Sequence, residues 1–287
     1  MKVIHSWTFD FLMDFSIAYE KGSFKELGLD VEPVNAESTV TRSGLVPKED
    51  IDGAFLSSGN ALKLIDKGVP LVLVCGIGNR TFDYAVLKDS PIKRLKDFEG
   101  KKIANTPKPS GPWLALQKDL KDADIKAEQL NVGNDVERIS MLMTGQVDVI
   151  LIQPGPLAKL GDQVRVVHSC NTSKYLWNSC GWWFKPAYVK AHPEAVKRLV
   201  EGMAKARKLI RENPEEAINI YSKFSRLNDK SFKKPFVLAQ FDYPPVIYTY
   251  GLQQTYNVMR EFHLLDKEMD IQTLVDGRFA KSLTDPY

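Results

Sequence analysis

Short apolar runs alternate along this chain with stretches whose apolar residues recur at helical spacing. Val3-Ile4 and residues 29–34, 53–56 and 69–75 read as strands, because a strand covered on both faces places apolar side chains at consecutive positions. Between them, a segment ending at Lys21 and the set Ala61, Leu62, Leu64 and Ile65 predict helices. Gly22 and Gly68 are placed to end these helices, since glycine takes the left-handed conformation that closes a helix. After residues 90–100 the same grammar restarts. Strands are predicted at 102–105, 130–132, 147–152 and 164–168, helices open at Ser110-Gly111 and around 136–143, and Gln153-Pro154-Gly155-Pro156 reads as a turn. From Ala187 onward the chain is predicted mostly helical. Val196, Leu199, Val200, Met203, Leu209 and Ile210 line one helix face, and Pro193 and Pro214 each stand in a first turn. Further helices are expected near 246–262 and 271–283, wrapping back over the first half.

Two strand–helix repeats joined by two crossing segments, near 82–88 and 180–188, predict an α/β protein of two lobes, each a mixed sheet flanked by helices. The expected layout is 1–85 for the first part of lobe one, 86–184 for lobe two, and 185–287 for the rest of lobe one. A chain of 287 residues suits two such units.

Composition adds mainly exclusions. Hydrophobic residues make up 44%, enough to offset chain entropy with a buried core. Lys and Arg number 39 against 36 Asp and Glu, and the cations lie in short scattered clusters such as Lys93-Arg94 and Lys101-Lys102. A nucleic-acid binder needs them concentrated on one face. No stretch is long and apolar enough to span a membrane. Residues 1–5 already read as a strand, so the expectation is a cytosolic protein or a mature chain whose leader has been removed. Three cysteines without a C-x-x-C argue against a disulfide framework or zinc ribbon. Cys75 reads as a small buried hydrophobe, and a Cys170–Cys180 bridge stays open.

Catalytic patterns are sought without success. Gly76-Ile77-Gly78 follows a strand, but Thr81 stands where a dinucleotide-binding loop needs its third glycine and no helix pattern follows. The four histidines are far apart, and His168-x-Cys170 supplies two ligands where a structural metal wants four. The expectation is binding without catalysis, metal or cofactor.

Several segments together resemble a known family. Ala18-x-x-x-Gly22-x-Phe24-x-x-x-Gly28-Leu29-x-Val31, the run from Ser90 to Ala104 (Ser90-Pro91-Ile92-Lys93-Arg94-Leu95-Lys96-Asp97-Phe98-Glu99-Gly100 and onward), Leu142-x-x-Gly145-x-Val147-Asp148, His192-Pro193-Glu194 and Asn213-Pro214-Glu215-Glu216-Ala217 occur in the right order. They are similar to the type II periplasmic solute-binding proteins of ABC importers, in the branch serving nitrate, sulfonates, taurine and thiamine-pyrimidine precursors. The resemblance implies the type II periplasmic-binding-protein fold, a cleft that encloses a small molecule, and a monomer in the periplasm or cell envelope. It further implies delivery to a membrane permease backed by an ATPase. The same branch also resembles a cytosolic thiamine-pyrimidine synthase, which is the alternative. That enzyme has a cysteine-rich run where this chain has Asn178-Ser179-Cys180-Gly181-Trp182, with one cysteine.

Open α/β sheets bind ligands beyond the carboxyl ends of their strands, where helix N-termini also offer N–H groups to anions. Ser57, Ser58 and Asn60 hold that place in one lobe, Ser110 and Gly111 in the other; serine also serves there as a plain cap. Trp7, Phe9 and Asp10 follow the first strand, with Trp7 the first choice for stacking on a planar ligand. Gln153 ends a strand of lobe two. Asn178 and Trp182 lie where the chain crosses back, with Trp182-Trp183 expected to send one ring to the pocket and one to the core. The ligand expected from these residues is small and planar, aromatic or heteroaromatic, with a polar or anionic group.

Overall fold

The computed structural model describes residues 1–7, 12–77, 82–169, 180–225 and 245–283. The first half contributes β1 (Lys2–His5), β2 (Glu32–Asn35), β3 (Gly53–Ser57) and β4 (Val72–Ile77). Then follow β5 (Asp83–Leu87), β6 (Lys102–Asn105), β7 (Glu128–Asn131), β8 (Val149–Ile152) and β9 (Val164–Ser169). The chain ends with β10 (Cys180–Phe184), β11 (Val246–Tyr248) and β12 (Lys281–Leu283). These strands form two open mixed sheets, a seven-stranded one ordered β12-β11-β4-β10-β3-β1-β2 and a five-stranded one ordered β7-β6-β8-β5-β9.

Both sheets repeat one motif. In the first, β1 is followed by α1 (Met13–Glu20), β2 by α3 (Thr39–Leu45) and β3 by α4 (Ser58–Asp66), with the short α2 (Ser23–Glu26) after α1. In the second, β6 is followed by α5 (Gly111–Asp122), β7 by α6 (Asp135–Met143) and β8 by α7 (Pro154–Leu160). β1 pairs in parallel with β2 and β3, and β6 with β7 and β8. Parallel pairing with crossover helices sets the helix N-termini beside the carboxyl ends of the strands. The fold is two-lobed α/β, as the alternation predicts.

The two segments expected to cross between halves are themselves strands. β10 runs antiparallel between β3 and β4, with Cys180 opposite both Ser57 and Ile77, and β5 runs antiparallel between β8 and β9. Around β10 the core is aromatic: Phe55, Trp182, Trp183 and Phe184 are all buried.

The helical tail comprises α8 (Pro186–Ala191), α9 (Pro193–Glu212), α10 (Pro214–Ser225) and α11 (Thr249–Glu261). Val196, Leu199, Val200, Met203, Ala206 and Ile210 form the buried face of α9. Each large apolar side chain among them contributes roughly 1.5–3 kcal/mol relative to exposure. Leu209 is only half-buried, at the edge of that face. Gly22, with φ of 74°, follows α1 and donates its N–H to the Tyr19 carbonyl, the closing role foreseen for it.

Three expectations fail. Gln153-Pro154-Gly155-Pro156 opens α7 rather than making a turn, because proline lacks only an N–H that a first helical turn leaves unused. Residues 246–248 form β11 before the helix starts. The stretch expected as a helix at 271–283 is a 3-10 turn, Ile271–Leu274, and then β12, which pairs in parallel with β11. Among the described residues no helix is long and apolar enough to cross a membrane.

Candidate ligand-binding site

The start of α4, directly after β3 in one sheet, meets the β6–α5 connection of the other. The contact lies at Gly59, in the first turn of α4. A β-carbon built there would overlap the Pro109 carbonyl oxygen and lie 3.4 Å from a Leu114 methyl group. No residue larger than glycine fits, so the starts of α4 and α5 face each other across this contact.

On the first side, the pairing of His5 with Asn35 aligns the ends of β1 and β2, so the residues after each strand emerge side by side. The carboxylate of Glu37 accepts hydrogen bonds from Ser6 Oγ at 3.0 Å and from Asn35 Nδ2 at 2.9 Å, one on each oxygen. Asn35 Oδ1 in turn accepts from the Trp7 backbone N–H at 3.2 Å. Arg42, 4% exposed, donates from Nη1 to the carbonyls of Ala36 and Glu37 at 2.7 and 3.1 Å. Burial lowers its guanidinium to about 10, opposed by Cys180 and Glu37. Trp7 is thus held beside a carboxylate whose two oxygens are already oriented.

Ser57 caps α4. Its Oγ accepts from the Asn60 N–H at 3.4 Å and from Asn60 Nδ2 at 2.6 Å, which leaves its own O–H to donate. Ser58 is buried and Asn60 half-buried. Across the contact, Ser110 precedes α5 without a side-chain cap bond, and its Oγ lies 2.5 Å from Thr106 Oγ1. Thr106 Oγ1 also lies 3.3 Å from Asn105 Oδ1, so the Thr106 hydroxyl bridges Ser110 and Asn105. Gly111 is the first residue of α5. Gln153 is half-buried before α7, and its N–H reaches Asp135 Oδ1 at 3.4 Å.

An aromatic cluster backs the first side. The Trp7 ring is half-buried, stacks on Phe224 at 4.7 Å and meets the His5 ring edge-on at 4.0 Å. Phe15 lies 5.1 Å from His5 and 4.9 Å from Trp182, and Phe55 lies 5.6 Å from Trp182. Trp182 and Trp183 are 2% and 0% exposed, so exposure does not divide them as expected; Trp182 joins the cluster of Phe15 and Phe55. Phe9, Asp10 and Asn178 lie outside the described residues. Cys180 carries no disulfide among the described residues. Burial pushes the Cys75 thiol up to about 12, which leaves it unreactive.

His5 is 0% exposed, and burial lowers its imidazole to about 4 from an ordinary 6.5. Such a shift corresponds to about 3 kcal/mol. The unfolded chain takes up this proton at higher pH than the folded one. Stability is therefore full above pH 6.5 and is lost as pH falls toward about 4. Asp83, held above the usual carboxylate range by burial, acts with the opposite sign. Thermal melts across this window are expected to show a falling midpoint for the native protein and a flatter profile for His5→Phe. Superimposable pH profiles would contradict this origin.

Of the residues expected from sequence, Ser57, Ser58, Asn60, Ser110 and Gly111 stand at the starts of α4 and α5 and Trp7 follows β1, whereas the hydrogen-bonded Ser6, Asn35, Glu37, Arg42 and Thr106 were not foreseen. The signal was present, since Asn35-Ala36-Glu37 lies at the end of a strand whose carboxyl end faces the same crevice.

The family model described as NMT1/THI5 like matches residues 12–217. A Haemophilus influenzae protein named for thiamine biosynthesis is 28% identical over 143 residues, which is 47% of this chain and 43% of that protein. The match therefore spans less than half of that relative. The periplasmic aliphatic sulphonate binding protein SsuA from Escherichia coli superposes with a TM-score of 0.81 at 16% identity, covering 97% of this chain and 98% of that one. The alkanesulfonate-binding protein SsuA from Xanthomonas axonopodis pv. citri gives 0.78 at 14% identity, covering 96% and 97%. At such identities the likeness is one of fold.

Proposed function

The chain belongs to the NMT1/THI5-like family, and on that premise we propose that it is the solute-binding component of an ABC-type importer. In this reading it captures a small molecule between its lobes, in the periplasm or cell envelope, and hands it to a permease driven by an ATPase. The observation that carries the proposal is the meeting of Gly59 with Pro109. It sets the start of α4, which carries Ser57 and Asn60, against the connection that carries Thr106 and Ser110. Two sets of pre-oriented polar side chains facing each other from separate lobes make a clamp for a ligand. The fold shared with two sulfonate-binding proteins supports the same role.

The proposed ligand is a small planar heteroaromatic solute seated by Trp7. The fixed Glu37 carboxylate suits N–H donors on its edge, and the Ser57 hydroxyl suits a polar substituent. A carboxylate accepts hydrogen bonds only, so Glu37 matches an amino-substituted ring better than a sulfonate, which brings no donor. The relative named for thiamine biosynthesis fits a heteroaromatic solute.

A thermal-shift screen of aminopyrimidines, flavins, aryl sulfonates, taurine and nitrate tests the class, because a ligand that binds only the folded state raises its melting temperature. Stabilisation by taurine or nitrate alone would exclude the planar ligand. For the compound that binds, Trp7→Ala is expected to weaken affinity by about 1–3 kcal/mol, the scale of one lost apolar side-chain contact surface. Unchanged affinity in calorimetry would remove Trp7 from the site.

A further inference from the structure

His5 is the last residue of β1, directly before Ser6 and Trp7. Among the described residues neither of its ring nitrogens has a hydrogen-bond partner, although the side chain is fully buried. The Val34 carbonyl draws on the ring without completing a bond. The charged groups that bear on it are Glu37, after β2, and Arg42, on α3. Its aromatic neighbours are the rings of Trp7, at 4.0 Å, and Phe15, at 5.1 Å. An aromatic hydrocarbon would fill this space without giving up two hydrogen bonds to water. A buried polar group retained against that cost needs an explanation, and a hydrogen bond to a bound solute is one.

We propose that His5 is a specificity-determining residue, whose imidazole hydrogen-bonds the ring edge of the solute seated against Trp7. Neutral imidazole offers one N–H donor and one acceptor nitrogen. A heteroaromatic edge that carries an amino group beside a ring nitrogen supplies the complementary pair, whereas a sulfonate supplies acceptors only. The low-dielectric surroundings keep the ring neutral, so that both halves of this pairing are present at neutral pH. The inference rests on the solute-binding reading and deepens it.

The test is calorimetric titration of the full chain and of His5→Phe and His5→Gln with 4-aminopyrimidine and with benzenesulfonate, each variant's melting temperature being measured in parallel. The native chain is expected to bind 4-aminopyrimidine. His5→Phe should lose about tenfold or more in affinity while melting at the same or a higher temperature, and His5→Gln, which keeps a donor and an acceptor, should recover part of the loss. Equal affinity of His5→Phe and the native chain for 4-aminopyrimidine would overturn the assignment and leave the solute-binding reading intact. So would binding of benzenesulfonate alone. Failure of the native chain to bind either probe would take down the planar-ligand reading and this inference with it. Should His5→Phe not fold, the imidazole nitrogen resonances of the labelled native protein decide. A change in the His5 signals on adding 4-aminopyrimidine supports the contact, and unmoved signals refute it.

Discussion

Replacing Asp14 by alanine is expected to destabilise the protein by about 3–5 kcal/mol, the cost of leaving a buried charge without its partner. Asp14 Oδ2 accepts from Arg207 Nε at 2.7 Å, and the two side chains are 2% and 3% exposed. Asp14 Oδ1 also accepts the Phe15 N–H at 2.8 Å, so the carboxylate is bound on both oxygens. The pair ties α1 to α9 across most of the sequence. Its loss leaves the buried Arg207 guanidinium without the Asp14 carboxylate. Urea unfolding of Asp14→Ala reads the effect directly. The double variant Asp14→Leu, Arg207→Met should recover much of the loss, since removing both charges also removes their desolvation. A single variant within about 1 kcal/mol of the native protein, on the order of a surface substitution, would sink the claim.

Gly59→Ala is expected to weaken ligand binding while leaving folding nearly untouched. The added methyl would overlap the Pro109 carbonyl oxygen, a clash that backbone atoms cannot absorb in place. The two sheets must move apart, at a cost of about 1–3 kcal/mol if it resembles other overpacked sites. In the proposed capture between the lobes that cost falls on the ligand-bound arrangement, and it corresponds to an affinity loss of roughly five- to 150-fold. Small-angle scattering in the presence of a bound solute should show a larger radius of gyration for Gly59→Ala than for the native chain. Gly44→Ala is the control, because a β-carbon there meets no atom within 4 Å. Native affinity in Gly59→Ala would mean that the contact is not needed to hold the ligand.

The alternation of apolar runs and helical spacing made the two mixed sheets legible, because each buried parallel strand carries its own signature in consecutive residues. Strands that depend on distant partners were not legible. Lys281–Leu283 becomes β12 only because β11 lies beside it, and its apolar spacing by itself resembled a helix. The site was read by one half of a sound rule. Serines before helices were noticed as caps, and Ser57 does cap α4. The polar residues at the end of β2 drew no reading, since nothing in Asn35-Ala36-Glu37 by itself marks a site. Only the fold brings Glu37 to Ser6 and Trp7, across 31 and 30 positions of chain. His5 was set aside with the other histidines because the four lie far apart in the chain, and its lack of hydrogen-bond partners among the described residues is visible only in three dimensions.

The place of β10 also has a consequence for how the chain is made. The five-stranded sheet is drawn from one uninterrupted stretch, Asp83 to Ser169, and can finish as soon as that stretch leaves the ribosome. The seven-stranded sheet cannot. Its β3 and β4 emerge early, yet the strand that belongs between them, with Gly181 fitted against the Cys75 carbonyl, is translated only after the whole second sheet. Until then two apolar strand edges stand without their mate in the nascent protein. Such edges are where a half-made chain is open to pairing with a neighbour, and where chaperones that shield exposed strands would be of most use to it.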